Sequence, residues 1–329
     1  MAMSPQTLRV RVARKTVEAE GIAGLTLVAA DGGALPGFAA GAHVELQLSA
    51  TLRRPYSLCN APPPAGQGAS HYELGVLREP ASRGGSAAVH ERLNEGDELE
   101  IQAPRNLFPL AEAAPLHLLL AGGIGITPLL SMAQRLAAVG AEFLLHHATR
   151  SLARTPYVQR LAQQAWADRV HHHPDDDATR RLDIAALLAA SREREPGAHL
   201  YVCGPRGFMD AVLAAARSGG WPEAQLHWES FGGGEAQPST GGAFEVQIGR
   251  GGRVIPVAAD QSVVQALAAA GVEIITSCGE GVCGTCLTRV LDGLPEHHDQ
   301  YLLPEEQAAN DQFLPCCSRA CSPRLVLDL

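Results

Sequence analysis

Aromatic side chains are scarce, at 5% of 329 residues, so each Tyr, Trp or Phe beside a candidate site carries extra weight. Basic blocks are missing too. Lys and Arg number 26 against 35 Asp and Glu, a formal net charge of −9. Nucleic-acid binding rests on clustered cations and is not expected here. The acidic balance leaves a face for a basic protein partner, although it also serves ordinary solubility. No apolar run approaches the roughly 20 residues that span a bilayer; the longest, at 116–120, breaks into glycines. The first residues, MAMSPQTLRVRVARKTVEAEG, contain no apolar h-region and no small-residue cleavage site, so no signal peptide is expected. These absences leave a soluble, cytoplasmic chain, expected to be a monomer, with no membrane segment and no internal repeat.

Apolar residues make up 46%, ample for packed cores, and the length suits two or three domains. Up to residue 109 the chain reads as short strands, at 8–17, 25–30, 43–48, 56–60, 71–77 and 98–102, separated by Gly and Pro clusters. A helix is expected at 86–93. Such punctuation implies a small antiparallel barrel. From 110 to 231 strands alternate with helices: strands at 116–120, 142–148 and 199–203, helices at 128–139, near 157–166, at 184–190 and at 208–217. That alternation implies a parallel sheet covered by helices on both faces. Residues 232–242, GGGEAQPSTGG, have linker composition. Beyond them come a hairpin at 244–248 and 253–256, a helix at 263–270 and a final apolar strand at 325–327. The run His171-His172-His173-Pro174-Asp175-Asp176-Asp177 reads as a solvated loop, because consecutive side chains cannot all converge on one ion.

Eight cysteines in a reducing compartment point to ligands or buried thiols rather than disulfides. Six of them fall between 278 and 321. Cys278-x4-Cys283-x2-Cys286, with Cys316 further on, has the spacing of a plant-type [2Fe–2S] cluster. Three thiolates converging on one small core need a tight loop, and Gly279, Gly281 and Gly284 permit it. Structural zinc would want two close cysteine pairs, and only one is present. Cys316 and Cys317 are adjacent, and strand neighbours face opposite ways, so one of them can face the cluster. Cys321 reads as a small packing residue.

Two further patterns carry nucleotide chemistry. The apolar strand at 116–120 runs into Gly122-Gly123-Ile124-Gly125-Ile126-Thr127-Pro128, a glycine turn that opens a helix, where N–H groups and the helix dipole favour a pyrophosphate. It is not the G-x-G-x-x-G fingerprint, and alone it matches a plain βα turn equally well. Cys203-Gly204-Pro205 stands at the end of a later strand, where ligands of wound α/β sheets bind. In the first segment Arg54-Pro55-Tyr56-Ser57-Leu58 is followed by Arg78 and by Ser82-Arg83-Gly84-Gly85-Ser86. An aromatic can lie on an isoalloxazine ring, a serine can reach a ring nitrogen, and an arginine can clamp a phosphate. R-x-Y-S by itself fits equally a barrel strand with a solvated arginine.

Taken in order, R-x-Y-S-L, R-G-G-S, G-G-I-G-I-T-P, C-G-P, C-x4-C-x2-C and C-C-S-R-A resemble the phthalate dioxygenase reductase family, across essentially the whole chain. The resemblance implies a flavin-binding β-barrel domain (1–109), a NAD-binding α/β domain (110–231), a linker (232–242) and an α+β, β-grasp ferredoxin domain (243–329). It implies FMN rather than FAD, and NADH as donor, although Arg150 beside Ser151 leaves room for a 2′-phosphate. Arg54, Tyr56, Ser57 and Leu58 would contact the flavin, with Arg78, Gly84, Gly85 and Ser86 around its phosphate. Gly122, Gly123, Ile124, Gly125, Thr127, Pro128, Cys203, Gly204 and Pro205 would hold the dinucleotide, and Phe231 would shield the flavin. The family motif C-x-S-R-A selects Cys316 as fourth cluster ligand. Ser82 stands where the family usually has Gly.

A flavin is the needed intermediary between a two-electron hydride donor and a one-electron cluster. Hydride transfer requires no general acid or base, so Ser57 and Cys203 are expected only to position reactants. The expected acceptor is a Rieske-type aromatic oxygenase or O-demethylase. The alternatives are a reductase for another acceptor and a redox-sensing protein without turnover.

Overall fold

The computed structural model describes residues 6–49, 52–80, 84–231, 242–274, 276, 279, 281, 284–299, 301–302 and 304–329. Alternation of apolar and polar residues in the first segment produces strands β1 (Thr7–Ala19), β2 (Ile22–Ala29), β3 (Ala42–Gln47), β4 (Arg53–Ser57), β5 (Tyr72–Leu77), β6 (Glu98–Gln102) and the short β7 (Arg105–Asn106), with helix α1 (Gly85–Glu91) after β5. They pair in the order β4-β3-β6-β1-β2-β5, with β7 on β3. A bridge between Leu58 and Leu74 ties the end of β4 to β5 and closes the path into a barrel. Val10, Val12, Leu25, Leu27, Val44 and Leu46 fill it. Strand β4 starts three residues earlier than expected and contains Pro55, which a strand at the end of a pairing path tolerates. The only lysine in the chain, Lys15, donates to the carbonyls of Val89, His90 and Leu93, holding the end of α1 against the barrel.

The middle segment forms β8 (His117–Gly122), β9 (Phe143–Thr149), β10 (Val170–Pro174), β11 (His199–Cys203) and β12 (Leu226–Glu229), with helices α2 (Ile126–Ala138), α3 (Val158–Ala162), α4 (Ile184–Arg194) and α5 (Arg206–Ser218). The sheet order is β10-β9-β8-β11-β12, parallel throughout. Every residue of β8 is buried, as a central strand covered on both faces requires. Leu119, Ala121, Phe143 and Leu145 pack with α2, while Leu118, Leu120, Leu200 and Val202 pack with Met209, Val212 and Leu213 of α5.

The histidine run is a correction. Residues 171–174 are not a solvated loop but the body of edge strand β10, whose His171 and His172 pair with His146 and His147 of β9. His146 stacks on His171 and His173 at ring separations of 4.6 and 5.2 Å. Stacked rings replace the apolar alternation that would have marked a strand. The helix expected near 157–166 is shorter, Val158–Ala162, and begins after Tyr157, a non-glycine residue at φ 63°.

The last segment comprises β13 (Phe244–Ile248), β14 (Val254–Val257), α6 (Val263–Ala269), β15 (Thr288–Asp292), β16 (Pro295–Glu296), α7 (Pro304–Ala309), β17 (Gln312–Phe313), β18 (Arg319–Ala320) and β19 (Arg324–Leu327). Its main sheet runs β14-β13-β19-β15-β17, with β13 and β19 parallel, and β16 pairs with β18. Helix α6 starts on a capping box between Ser262 and Gln265 and packs Val263, Ala266 and Leu267 into the core of this sheet. A helix grasped by a mixed sheet is the β-grasp arrangement. The chain divides into two compact units: the barrel and parallel sheet form one that ends at Phe231, and the β-grasp segment belongs to the other.

Candidate redox site

At the C-terminal end of the parallel sheet two turns nest backbone on backbone. A Cβ placed on Gly204 would stand 2.7 Å from the Gly122 Cα, so only glycine there lets the turn after β11 reach the turn after β8. The first turn continues as a 3-10 segment, Gly123–Gly125, into α2. Thr127 is buried and its hydroxyl donates to the Ile124 carbonyl at 3.1 Å, fixing the turn. Beneath it, His147 Nε2 donates to the Gly123 carbonyl at 2.9 Å. Burial pushes this imidazole down to about 3, with the Gly123 bond opposing. The ring is therefore neutral and braces the turn. Pro205 precedes α5 as its N-cap.

The same sheet end carries Cys203 and Glu229, which are direct neighbours in the β11–β12 register. Cys203 is fully buried, and burial, reinforced by Glu229, pushes its thiol up. Ser57, at the end of barrel strand β4, donates to Glu229 Oε2 at 3.2 Å. Desolvation raises the Glu229 pKa to about 8, against the bond from Ser57. Ser57, Cys203 and Glu229 thus form one constellation from two sheets. Glu229 was not among the residues expected from sequence. Its signal was its place at the end of the last strand, two residues before Phe231.

The other barrel residues spread around α1. Tyr56 is half-buried, with its phenol pushed up to about 12 by burial, partly offset by Arg54. The Arg54 stem lies over Gly85, where an added Cβ would come within 2.5 Å of its Cγ. Gly84 caps α1 at φ 89°. Ser86 Oγ accepts from the Glu79 N–H at 3.1 Å, and Arg78 is paired to Glu91 at 2.6 Å. Leu58 turns into the barrel core. Ser82 and Arg83 lie outside the described residues. Arg150 is exposed after β9, and Phe231 is 41% exposed. A stem-on-glycine clamp beside a half-buried tyrosine and a buried serine bonded to a half-buried carboxyl fits a planar, phosphorylated cofactor.

In the second unit, Cys286 and Cys316 are both buried, while Cys278 and Cys283 lie outside the described residues. Gly284 has φ 72°, and a Cβ there would fall inside the Tyr301 ring. Only glycine preserves the room this loop needs. The Thr288 hydroxyl donates to the Cys286 carbonyl at 2.9 Å. Cys317 Sγ lies 3.7 Å from both the Leu314 carbonyl and Ser318 Oγ. Two buried thiols, Cys286 beside Gly284 and the distant Cys316, belong to a sequence spacing that fits an iron–sulfur group. Next to them Arg319, 3% exposed, donates to the carbonyls of Gln261, Gly242 and Ala258 and lies over the Phe244 ring.

Comparison with known proteins agrees with both halves. Residues 246–321 match the 2Fe-2S iron-sulfur cluster binding domain family, and residues 101–226 match the dimethylamine monooxygenase subunit DmmA-like N-terminal domain. A vanillate O-demethylase oxidoreductase from Pseudomonas sp. (strain HR199 / DSM 7063) is 50% identical over 98% of this chain and 100% of its own length. The solved phthalate dioxygenase reductase, titled as a modular structure for electron transfer from pyridine nucleotides to [2Fe-2S], is 36% identical, covers 98% of both chains and superposes with a TM-score of 0.70.

The chain belongs to the phthalate dioxygenase reductase family.

A member of this family is an electron-transfer oxidoreductase with a 2Fe-2S domain. The same three-part arrangement occurs within a larger protein, an intact type IV self-sufficient cytochrome P450 monooxygenase. It is 36% identical, with a TM-score of 0.79, covering 98% of this chain and 41% of that one.

Proposed function

We propose that this chain is the reductase component of a Rieske-type aromatic-ring oxygenase or O-demethylase, passing electrons from NADH through FMN to a [2Fe–2S] cluster and on to that partner. The observation that carries this reading is the meeting of Ser57 from the barrel with Cys203 and Glu229 from the parallel sheet. When bound, a flavin takes up a hydride and releases its electrons singly, which a nicotinamide cannot do for a cluster.

The protein's part is binding and positioning. Arg54, Tyr56, Ser57, Arg78, Gly84, Gly85 and Ser86 hold the flavin, the Arg54 guanidinium and the glycines forming the phosphate clamp, whereas Leu58, expected beside them, packs into the barrel core. The nested turns at 122–128 and 203–205 hold the dinucleotide and close its pyrophosphate on the first turn of α2. Phe231, 41% exposed, would shield the flavin. Ser57 and Cys203 orient the reactants, and Glu229, neutral up to about pH 8, keeps a fixed anion away from the transfer path. Cys278, Cys283, Cys286 and Cys316 ligate the cluster.

A coupled assay tests the proposal. Purified holoprotein, NADH and a candidate Rieske oxygenase are supplied with a methoxylated aromatic acid, and demethylated product is measured. Product formation that requires both proteins supports the reading; rapid NADH oxidation with a dye but none with any Rieske partner removes the partner assignment. The likeness to the P450 monooxygenase favours a second reading, in which a haem protein is the acceptor. Extraction and mass spectrometry of the bound flavin distinguish FMN from FAD.

A further inference from the structure

The barrel and the parallel sheet meet over a patch of bare backbone. Gly24 of β2 and Gly75 of β5 are directly opposite each other in the antiparallel register, so both lack a side chain on the same face. The two bare positions are covered differently. Over Gly24 lie the barrel's own Thr16 and Glu18, hydrogen-bonded to each other at 2.5 Å. Over Gly75 lie three groups of the nucleotide-binding half. A Cβ there would fall inside Tyr157 Oη and stand 2.9 Å from Thr127 Cγ2 and 3.3 Å from Ile124 Cδ1.

Ile124 and Thr127 belong to the glycine turn proposed to carry the dinucleotide. Gly75 itself follows Leu74, which is bridged to Leu58, the residue after Ser57. A single glycine therefore stands between the barrel strand end proposed to face the flavin and the turn proposed to face the nicotinamide, with no side chain between them. Tyr157 is held at φ 63°, and its hydroxyl lies 3.7 Å from Cys59 Sγ. That backbone conformation costs a non-glycine residue free energy, so its surroundings must hold it there. Arg160, on α3, joins Glu73 of β5 at 2.6 Å and Gln134 of α2 at 3.3 Å, and Gln134 in turn donates to the Cys59 carbonyl at 2.9 Å. The contact is thus clamped beside Gly75, through Glu73 and Cys59.

We infer that Gly75 is a positioning residue for hydride transfer: its missing side chain sets how closely the nucleotide turn approaches the flavin strand. This rests on the reading of the chain as an NADH-dependent flavin reductase. A methyl group at this position must displace Tyr157 and Thr127 outward, and with them the turn. Misplacement of reactants by about 1 Å costs about a hundredfold in rate.

The experiment uses the full-length holoprotein, with anaerobic stopped-flow mixing against NADH. Gly75→Ala is compared with Gly24→Ala, whose methyl comes nearest to Thr16 and Glu18 of the barrel. Gly75→Ala is expected to slow flavin reduction between about ten- and a hundredfold. It should also weaken the long-wavelength absorption of the nicotinamide–flavin complex, while leaving the rate from flash-photoreduced flavin to the cluster as in the parent. Gly24→Ala is expected to transfer hydride at the parent rate. The double variant Gly75→Ala/Tyr157→Phe loses the oxygen nearest the new methyl and is expected to regain part of the rate. It also carries the test if Gly75→Ala does not fold, since Thr127 still obstructs the methyl and hydride transfer stays slower than in Tyr157→Phe alone. Parent-like reduction and absorption in Gly75→Ala, or equal rates in the double variant and Tyr157→Phe, would overturn the inference. If the parent's own flavin is not reduced by NADH, it is the proposed function that fails first.

Discussion

Ser57 Oγ donates to Glu229 Oε2 at 3.2 Å, joining the end of a barrel strand to the end of the last parallel strand across 172 positions of sequence. The bond places a carboxyl where the two halves of the proposed reaction site converge. Burial raises that carboxyl to about 8, with the Ser57 bond pulling the other way, so at neutral pH it is a protonated, uncharged group. Cys203, its neighbour in register, is held as a neutral thiol by the same burial. Ser57, Cys203 and Glu229 therefore present polar but uncharged side chains to the proposed hydride transfer.

The first expected outcome concerns pH. Below about 8 the folded protein keeps Glu229 protonated, whereas the unfolded chain ionises it above its ordinary value of 4.5. Stability contributed by the neutral form is complete below 4.5 and declines as pH rises towards 8. Glu229→Gln cannot ionise and should remove that decline, so thermal melts of parent and variant should converge at pH 4.5 and separate in the variant's favour at pH 8. The parent's flavin reduction by NADH should also slow above pH 8, and that of the variant should not.

Acid acts on the histidine-rich edge of the parallel sheet. Burial, then the neighbouring His171 and His173, pushes His146 down to about 3, and burial does the same to His147. Folded values below the unfolded 6.5 mean that stability is fully present above 6.5 and is lost as pH falls towards 3. Each such group contributes up to about 1.4 kcal/mol of loss per pH unit. His146→Gln should make the parent's acid-side slope shallower by about that amount in denaturant titrations at pH 6 and 5. An unchanged slope would mean that these rings are protonated in the folded state.

The choice between adjacent thiols is open to direct measurement. Cys286→Ser and Cys316→Ser should lose most of the visible absorption and iron of the cluster, since each removes a buried thiol proposed as a ligand. Cys317→Ser should retain both at the parent's level, because the C-x-S-R-A motif selects Cys316, while the Cys317 Sγ lies near the Leu314 carbonyl, Ser318 and Gly281. Loss in the third variant with retention in the second would exchange the assignments.

Arg319 holds three backbone carbonyls from a buried position, so its role is structural. Arg319→Ala should lower the stability of the β-grasp unit by about 3 kcal/mol, as hydrogen bonds to a charged donor are lost and carbonyls are left unpaired. Arg319→Lys should recover only part of this, having lost the planar fork. Urea denaturation followed by cluster absorbance provides the reading.

Much of this was legible in the sequence because some chemistry is local. The cysteine spacing, the glycine turn before Thr127 and the strand of leucines in β8 are each written in consecutive residues. What was not legible depends on pairing. His171, His172 and His173 carry no apolar alternation and become a strand only because β9 supplies His146 and His147 opposite them. Glu229 acquires its meaning from Ser57, on another sheet. Gly75 looks like any glycine in a strand until Tyr157 and Thr127 are found where its side chain would be. Pro55 masks the start of β4, since proline breaks most strands but not one at the end of a pairing path.

The relay itself is tested most directly by anaerobic titration of the holoprotein with NADH, followed together by visible absorption and by electron paramagnetic resonance. The expected result is bleaching of the flavin and appearance of the reduced [2Fe–2S] signal with NADH as sole reductant. Cys286→Ser should keep the bleaching and lose the signal. A cluster that dithionite reduces but NADH does not, in protein with full flavin and iron content, would contradict the electron path from nicotinamide to cluster.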